Sequence, residues 1–191
     1  MTDLTTGLTE LKAAARKAAF AARKEAFGRG QGQAAEILAD FLAAHRGKPL
    51  AGYMAMRTEI DPLAAMAAHQ GPVGVPVILG AAQPVKFREW SPGCTMVAGD
   101  FGALIPAEGA WVEPEVVIVP MVAFDARGYR LGYGGGFYDR TLQGLRAKRP
   151  TLAVGFAFAA QEMDAVPIDQ FDQRLDAVVT ETGVRLFGGG T

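Results

Sequence analysis

Val116-Val-Ile-Val-Pro-Met-Val-Ala-Phe-Asp-Ala-Arg-Gly-Tyr-Arg130-Leu-Gly-Tyr-Gly-Gly-Gly-Phe-Tyr-Asp-Arg140 is the stretch that decides the fold. It opens on a β-branched run, Val116 to Pro120, that reads as a central strand. A polar turn at Asp125 to Gly128 follows, then glycines at 132, 134, 135 and 136, then a helix predicted over Phe137 to Lys148. Without Cβ atoms, a glycine segment lets the backbone approach a bulky anion and aim N–H groups at it. The helix behind it offers its positive end to phosphate. The pattern is neither a Walker A loop, which ends in Gly-Lys-Ser/Thr, nor a full G-x-G-x-x-G. A flexible surface turn is the alternative, although glycines wedged among Tyr133, Phe137 and Tyr138 are unusual for a linker. Asp139 falls in the first helical turn. There it either compensates the helix dipole or shares a divalent cation with a phosphate that it would otherwise repel.

On the N-terminal side, Leu4, Leu8, Leu11, Ala15, Ala18 and Ala22 recur in steps of three and four and predict one helix from Leu4 to about Phe27. Gly28, Gly30 and Gly32 end it, and a second helix is predicted over Gln33 to Ala44. Pro49 to Met56 reads as a buried strand, and Asp61-Pro62 as the cap and first position of a short helix to His69. Strands are also expected at Val73 to Leu79, Val85 to Trp90, Thr151 to Phe158 and Asp176 to Thr180, with an irregular stretch from Pro92 to Pro114. Strands alternating with helices specify an α/β protein: one domain over residues 1–191, three α/β/α layers, and a mostly parallel or mixed central sheet.

A chain of 191 residues, half of them hydrophobic, is long enough to bury a substantial core. Its net charge of −1 speaks against a nucleic-acid binder. No uninterrupted apolar run is long enough to span a bilayer, so no membrane partner is expected. Cys94 is the single cysteine, which fits a reducing, cytoplasmic setting, and the start carries no secretory pattern. Cys94 lacks basic neighbours in sequence and is assigned no chemistry.

Lys12 and Arg16 lie four apart on the first helix, flanking its apolar face. Like charges at that spacing repel, which an anionic partner would relieve; the ordinary fate of such a pair is a solvated basic face. Glu59 follows a predicted strand and precedes a helix cap, at the ligand end of an open α/β sheet or simply on its surface. Met54 would be core on local grounds, Trp90 either core or pocket wall, and Asp176 an ordinary strand-start carboxylate. Asp125 and Asp172 read best as turn carboxylates. His45 and His69 sit at predicted helix ends and are too few for a metal site.

Asp125-x-x-Gly-x-Arg130-Leu-Gly-Tyr-Gly-Gly-Gly-Phe-Tyr-Asp139-Arg resembles the signature of the 5-formyltetrahydrofolate cyclo-ligase family. Lys12-Ala-Ala-Ala-Arg16, Glu59-Ile-Asp, Phe87-Arg-Glu-Trp90, Gly99-x-Phe-Gly102 and Leu175-Asp-Ala-Val-Val-Thr-Glu181 extend the resemblance in order along most of the chain. The resemblance implies an Mg-ATP-dependent ligase that closes 5-formyltetrahydrofolate to 5,10-methenyltetrahydrofolate. It implies ATP contacts from Lys12, Arg16, Arg130, Leu131, Gly132, Tyr133, Gly134, Gly135, Gly136, Phe137 and Tyr138. It implies folate contacts from Met54, Glu59, Trp90, Tyr133, Gly134, Gly135, Gly136 and Phe137, with Glu59 holding the pterin. Lys12, Arg16, Arg130 and Tyr133 would form the catalytic set, and Asp139 and Asp176 the Mg²⁺ carboxylates. Ala103-Leu-Ile-Pro-Ala-Glu-Gly109 departs from the family's usual Gly-Ile-Pro-Glu-Pro, which alters one pocket-side loop.

A monomer acting on 5-formyltetrahydrofolate and ATP is expected. Two rivals remain at this point. One is a folate or nucleotide sensor that lost turnover, which the joint presence of Lys12, Arg16, Glu59, Asp139 and Asp176 weighs against. The other is a sugar-phosphate isomerase on a related scaffold, whose acid–base pair is not evident.

Overall fold

The computed structural model describes residues 2–188, with side chains throughout except at residues 2–6 and 101. Two positions named above, Leu4 of the helical stripe and Phe101 of the Gly99–Gly102 motif, therefore lie outside the described side chains. Five strands form the parallel centre of the main sheet: β1 (Leu50–Ala51), β2 (Val73–Val77), β7 (Val116–Val119), β10 (Leu152–Phe156) and β11 (Ala177–Thr180). Antiparallel strands close both edges, β3 (Lys86–Glu89) and β6 (Trp111–Val112) on one side and β12 (Gly183–Leu186) on the other. The order across the sheet is β12-β11-β10-β7-β1-β2-β3-β6.

The predicted run Val116–Pro120 is indeed a central strand, with all four residues of β7 buried. Successive residues point to opposite faces, as the pleat requires. Val116 and Ile118 join Leu50, Val75, Val154 and Val179 beneath α2 (Ala34–Ala43) and α3 (Leu63–Ala68). Val117 and Val119 join Ala51, Ala153 and Val178 beneath Leu142 and Leu145 of α4 (Phe137–Lys148). A strand buried on both faces reads as a continuous apolar run, which is why the sequence marks it so clearly. The three α/β/α layers follow.

The connections fix where a ligand can enter. From β1 the chain crosses through α3 to β2 on one side; from β7 it crosses through α4 to β10 on the other. Adjacent β1 and β7 therefore form a topological switch point, and the crevice outside their carboxyl ends is the place where open α/β sheets bind ligands.

Three expectations need correction. The strand from Pro49 shrinks to Leu50–Ala51, because after Ala51 the chain turns away to line the crevice. A hairpin of β8 (Ala123–Phe124) and β9 (Arg130–Leu131) and the edge strand β12 carry too few residues to show a period in sequence. Helix α1 (Thr2–Arg29) forms, but its inward face is not the predicted one: Leu11 is 60% exposed and Ala18 is exposed, whereas Ala19, Arg23 and Ala26 are buried. The stripe is rotated by about one residue, and the face so buried carries arginine.

Candidate active site

A cleft of about 1400 Å³ opens at the carboxyl ends of β1, β2 and β7, lined there by Tyr53, Met54, Val77, Ile78 and Pro120. That volume exceeds the usual range for one small ligand and suits two. The glycine segment forms its middle. Gly134 (φ +105°) and Gly136 (φ +64°) adopt backbone conformations that side chains rarely tolerate, and Gly136 is the cap residue from which α4 starts. The first N–H groups of α4 point toward this end of the helix, where its positive dipole end lies.

Two arginines clamp the segment. Arg16 Nε donates to the Gly132 carbonyl at 2.8 Å and Arg140 Nη1 to the Gly135 carbonyl at 2.7 Å. A Cβ added at Gly134 would stand 3.3 Å from Arg16 Nη2, a tight contact that adds to the strain set by its positive φ. Arg130 is buried; Nη2 donates to Asp139 Oδ1 at 2.7 Å and Nη1 to the Gln173 carbonyl at 2.5 Å. Asp139 Oδ1 also accepts the Gln173 N–H at 2.9 Å. Both of these bonds fall on Oδ1 of a carboxylate that lines the cleft.

Lys12 lines the same end and donates to Asp169 Oδ2 at 2.9 Å and Asp172 Oδ2 at 2.8 Å. Burial opposes its charge, but the two carboxylates outweigh that and hold the ammonium above its ordinary value. Burial raises the Asp169 carboxyl, and the hydrogen bond and charge of Lys12 together with the Phe171 and Asp172 N–H groups outweigh it, leaving the group below the usual carboxylate range.

At the other end, the buried Glu59 carboxylate accepts the Met56 N–H at Oε2 (2.8 Å) and the Tyr133 hydroxyl at Oε1 (2.7 Å). Burial and the negative charge of Glu59 push the Tyr133 phenol up to about 12, so it is a protonated donor at neutral pH. Tyr138 lines the cleft with a buried hydroxyl that has no hydrogen-bond partner among the described residues. Burial, then Glu59, push that phenol well above its ordinary value.

Of the residues singled out from sequence, Lys12, Arg16, Met54, Glu59, Arg130, Leu131, Gly132 to Gly136, Tyr133, Phe137, Tyr138 and Asp139 all line this one cleft. Two do not. Trp90 packs, half-buried, against the core cluster beneath α2 and α3. Asp176 accepts from Arg146 Nη2 at 2.8 Å and the Ala153 N–H at 2.7 Å, and the structure does not bring it to the cleft. Sequence reasoning missed Arg23 and Asp169 and set Asp172 aside as a turn carboxylate. The aspartates lie in a loop with no periodic signal, and Arg23 stands on a helix face that the apolar count did not select. Asp125 is a turn carboxylate, as read: fully buried, it accepts backbone N–H groups of Arg127, Tyr129 and Val166. The departing segment 103–109 lines the cleft through Ala103, Leu104 and Ile105.

The sequence model of the 5-formyltetrahydrofolate cyclo-ligase family matches residues 9–181. The chain belongs to that family. The 5-formyltetrahydrofolate cyclo-ligase of Escherichia coli (strain K12) is 49% identical over 70 residues, covering 37% of this chain and 38% of that protein. The enzyme of the same name from Mycolicibacterium smegmatis is 36% identical over 107 residues, covering 53% of each. These aligned stretches span well under two thirds of either relative. The solution structure of Aquifex aeolicus 5,10-methenyltetrahydrofolate synthetase superposes over 95% of both chains with a TM-score of 0.75 at 30% identity. The matched range 9–181 includes the glycine segment, most of the first helix and the Glu59 turn, which line the cleft.

Proposed function

We propose that this chain catalyses the ATP-dependent ring closure of 5-formyltetrahydrofolate to 5,10-methenyltetrahydrofolate, releasing ADP and phosphate. The observation that carries the reading is a single cleft with an anion-binding end at the glycine segment and a buried carboxylate, Glu59, at the other. A carboxylate so held can accept paired N–H donors from an aminopyrimidinone ring. Phosphate oxygens at residues 132–139 and a pterin at Glu59 would bring the reacting groups together near Tyr133.

The N5-formyl group is an amide, and its oxygen leaves poorly when N10 attacks the carbon. Transfer of the γ-phosphoryl group to that oxygen makes it a good leaving group; N10 closes the ring and phosphate departs. No protein nucleophile is needed, and the protein's part is alignment and charge neutralisation. Lys12, Arg16, Arg130 and the N–H groups at the start of α4 supply positive charge along the phosphates. The buried Tyr138 hydroxyl, which has no hydrogen-bond partner among the described residues, would be a donor for a substrate atom that reaches it. Phe137 shields the reacting centre from water.

Asp139 suits Mg²⁺, which takes one or two carboxylates and completes its shell with phosphate oxygens and water. No cluster of three or more acidic, histidine or cysteine side chains exists among the described residues, so the ion would be held chiefly by the nucleotide. When bound, it would neutralise the phosphate charge. We place Trp90 and Asp176 outside this machinery. Among the described residues no helix is long and apolar enough to cross a membrane. We propose a monomer working in the cytoplasm, without a nucleic-acid partner.

The test is direct: mix the protein with 5-formyltetrahydrofolate and Mg-ATP and follow the near-ultraviolet absorbance of the methenyl product and the release of ADP. Both signals should rise together and stop on chelation of the metal. ATP binding without product would instead indicate a sensor, and isomerisation of a sugar phosphate without ATP would indicate the other rival.

A further inference from the structure

Arg23 heads the fully buried large side chains of this protein, at 1% exposure. A charged side chain this deeply buried is rare unless paired, and breaking such an arrangement is costly. Yet among the described residues its ion pair is a long one: Nη1 stands 4.0 Å from Glu59 Oε1. The Tyr133 hydroxyl stands between them. It accepts from Arg23 Nη1 at 2.7 Å and lies 2.7 Å from Glu59 Oε1. A guanidinium has no acceptor, so the phenolic hydrogen has one destination, the Glu59 carboxylate. The order of donation, Arg23 to Tyr133 to Glu59, is thus fixed by chemistry. Arg23 Nε donates to Thr58 Oγ1 at 3.1 Å, and Nη1 also reaches the Met121 carbonyl at 3.4 Å. The guanidinium lies 5.2 Å from the centre of the Phe20 ring and 5.5 Å from that of Tyr133. One side chain therefore joins α1, the turn that carries Glu59, and the glycine segment that carries Tyr133.

We propose that Arg23 is a positioning residue that acts through the Tyr133 hydroxyl, setting the Glu59 carboxylate for the pterin and linking folate binding to nucleotide binding at the glycine segment. This rests on the function proposed above. With Oε1 engaged by Tyr133 and Oε2 by the Met56 N–H, the carboxylate cannot rotate, and each oxygen keeps lone-pair capacity for a pterin donor. Tyr133 follows Gly132, whose carbonyl Arg16 holds, so a phosphate that orders the segment also orders the hydroxyl that fixes Glu59. Each ligand then favours the other, and the coupling is reciprocal.

The experiment measures the affinity of the intact protein for 5-formyltetrahydrofolate and for a non-hydrolysable ATP analogue, each alone and each in the presence of the other. The unsubstituted protein should bind either ligand more tightly when the other is present. Arg23→Met should weaken folate binding by roughly 10- to 100-fold, the usual worth of a charge-assisted hydrogen bond, and leave the affinity for the analogue alone within about twofold. It should also abolish the mutual enhancement. Arg23→Lys should restore part of the folate affinity. Tyr133→Phe breaks the same link from the other side, keeping the Arg23 side chain while Nη1 loses its 2.7 Å acceptor, so it reports even if Arg23→Met folds poorly. In the double variant the losses should not add, because both act through one hydroxyl. Equal loss of both ligands, or additive losses with Tyr133→Phe, would reduce Arg23 to a packing residue and overturn the proposal. Failure of the unsubstituted protein to bind 5-formyltetrahydrofolate would sink the proposed function itself, and this inference with it.

Discussion

Helices α1 and α2 are neighbours in sequence and both rich in alanine, yet they bury opposite chemistries. Helix α2 turns Ala34, Ala35, Leu38 and Leu42 into the core beneath the sheet. Among its described side chains, helix α1 buries Ala19, Arg23 and Ala26 fully, and half-buries Lys12 and Arg16 along the same side. The first is held by hydrophobic area; the second packs Ala19 and Phe20 against Val122, Ala123 and Leu131 and adds hydrogen bonds to the glycine segment, to Tyr133 and to the 169–172 loop. One helix serves stability; the other presents cations to a cleft.

That contrast predicts a separation of effects. Lys12→Ala should lower turnover by roughly 10²- to 10³-fold, the usual loss when a charge-stabilising group is removed from a polar transition state. Its effect on stability should be about 1–2 kcal/mol, below that of a core cavity, because the pair with Asp169 is partly exposed and only the one with Asp172 is largely shielded. Leu38→Ala in α2 should do the reverse: a loss of about 2–5 kcal/mol in denaturant unfolding from a fully buried site, with kcat of the folded protein unchanged. Thermal melts and steady-state rates on the two variants decide it. If Lys12→Ala unfolds the protein, or Leu38→Ala kills turnover of the folded fraction, the two helices do not differ as described.

The same contrast explains what was legible in the sequence. The β-branched run at 116–120, the helix at 137–148 and the helix at 33–44 are written in residue type and in the glycines and prolines that bound them, and all three appear within a residue or so of where they are expected. The glycine segment was legible because an unusual backbone demands an unusual residue. The inward face of α1 was not, since alanines nearly surround the helix and three basic residues set its orientation through partners far along the chain. Arg23 reaches Tyr133 across 110 positions and Lys12 reaches Asp172 across 160, separations that no local pattern encodes. The β8–β9 hairpin escaped for a different reason. Its strands have two residues each, and a buried carboxylate, Asp125, organises it in place of side-chain alternation.

Asp125 offers a smaller, pH-dependent test of that last point. Burial raises its carboxyl, but the Val166 N–H, the Arg127 guanidinium and the N–H groups of Tyr129 and Arg127 outweigh burial and hold it below the usual range. A carboxyl depressed in the folded state stabilises fully above its unfolded value, and the contribution is lost as pH falls through the folded value. Stability should therefore be flat near neutrality and decline in acid. Asp125→Asn should cost about 1–3 kcal/mol at neutral pH and flatten the acid decline, read from denaturant midpoints across pH. An unchanged acid profile would show that the hairpin does not depend on the charge.

The smallest effect is expected at the contact between Lys12 and the 169–172 loop. Without nucleotide, Lys12 is held by two carboxylates that a phosphate must replace. Asp169 is the more exposed of the two, so its pair with Lys12 is worth a few tenths to about 1 kcal/mol. Asp169→Asn removes that competitor and leaves Asp172 in place. ATP affinity should improve by roughly two- to fivefold, the same energy expressed as a binding ratio. The gain should be constant across neutral pH, because Asp169 is held below its ordinary value and Lys12 above, so neither changes charge there. Weaker ATP binding in Asp169→Asn would mean that the carboxylate joins the ligand's own shell, for instance through a phosphate-bound cation. The loop would then complete the nucleotide site and not compete with it, and the cationic face of α1 would need its acidic neighbours to function.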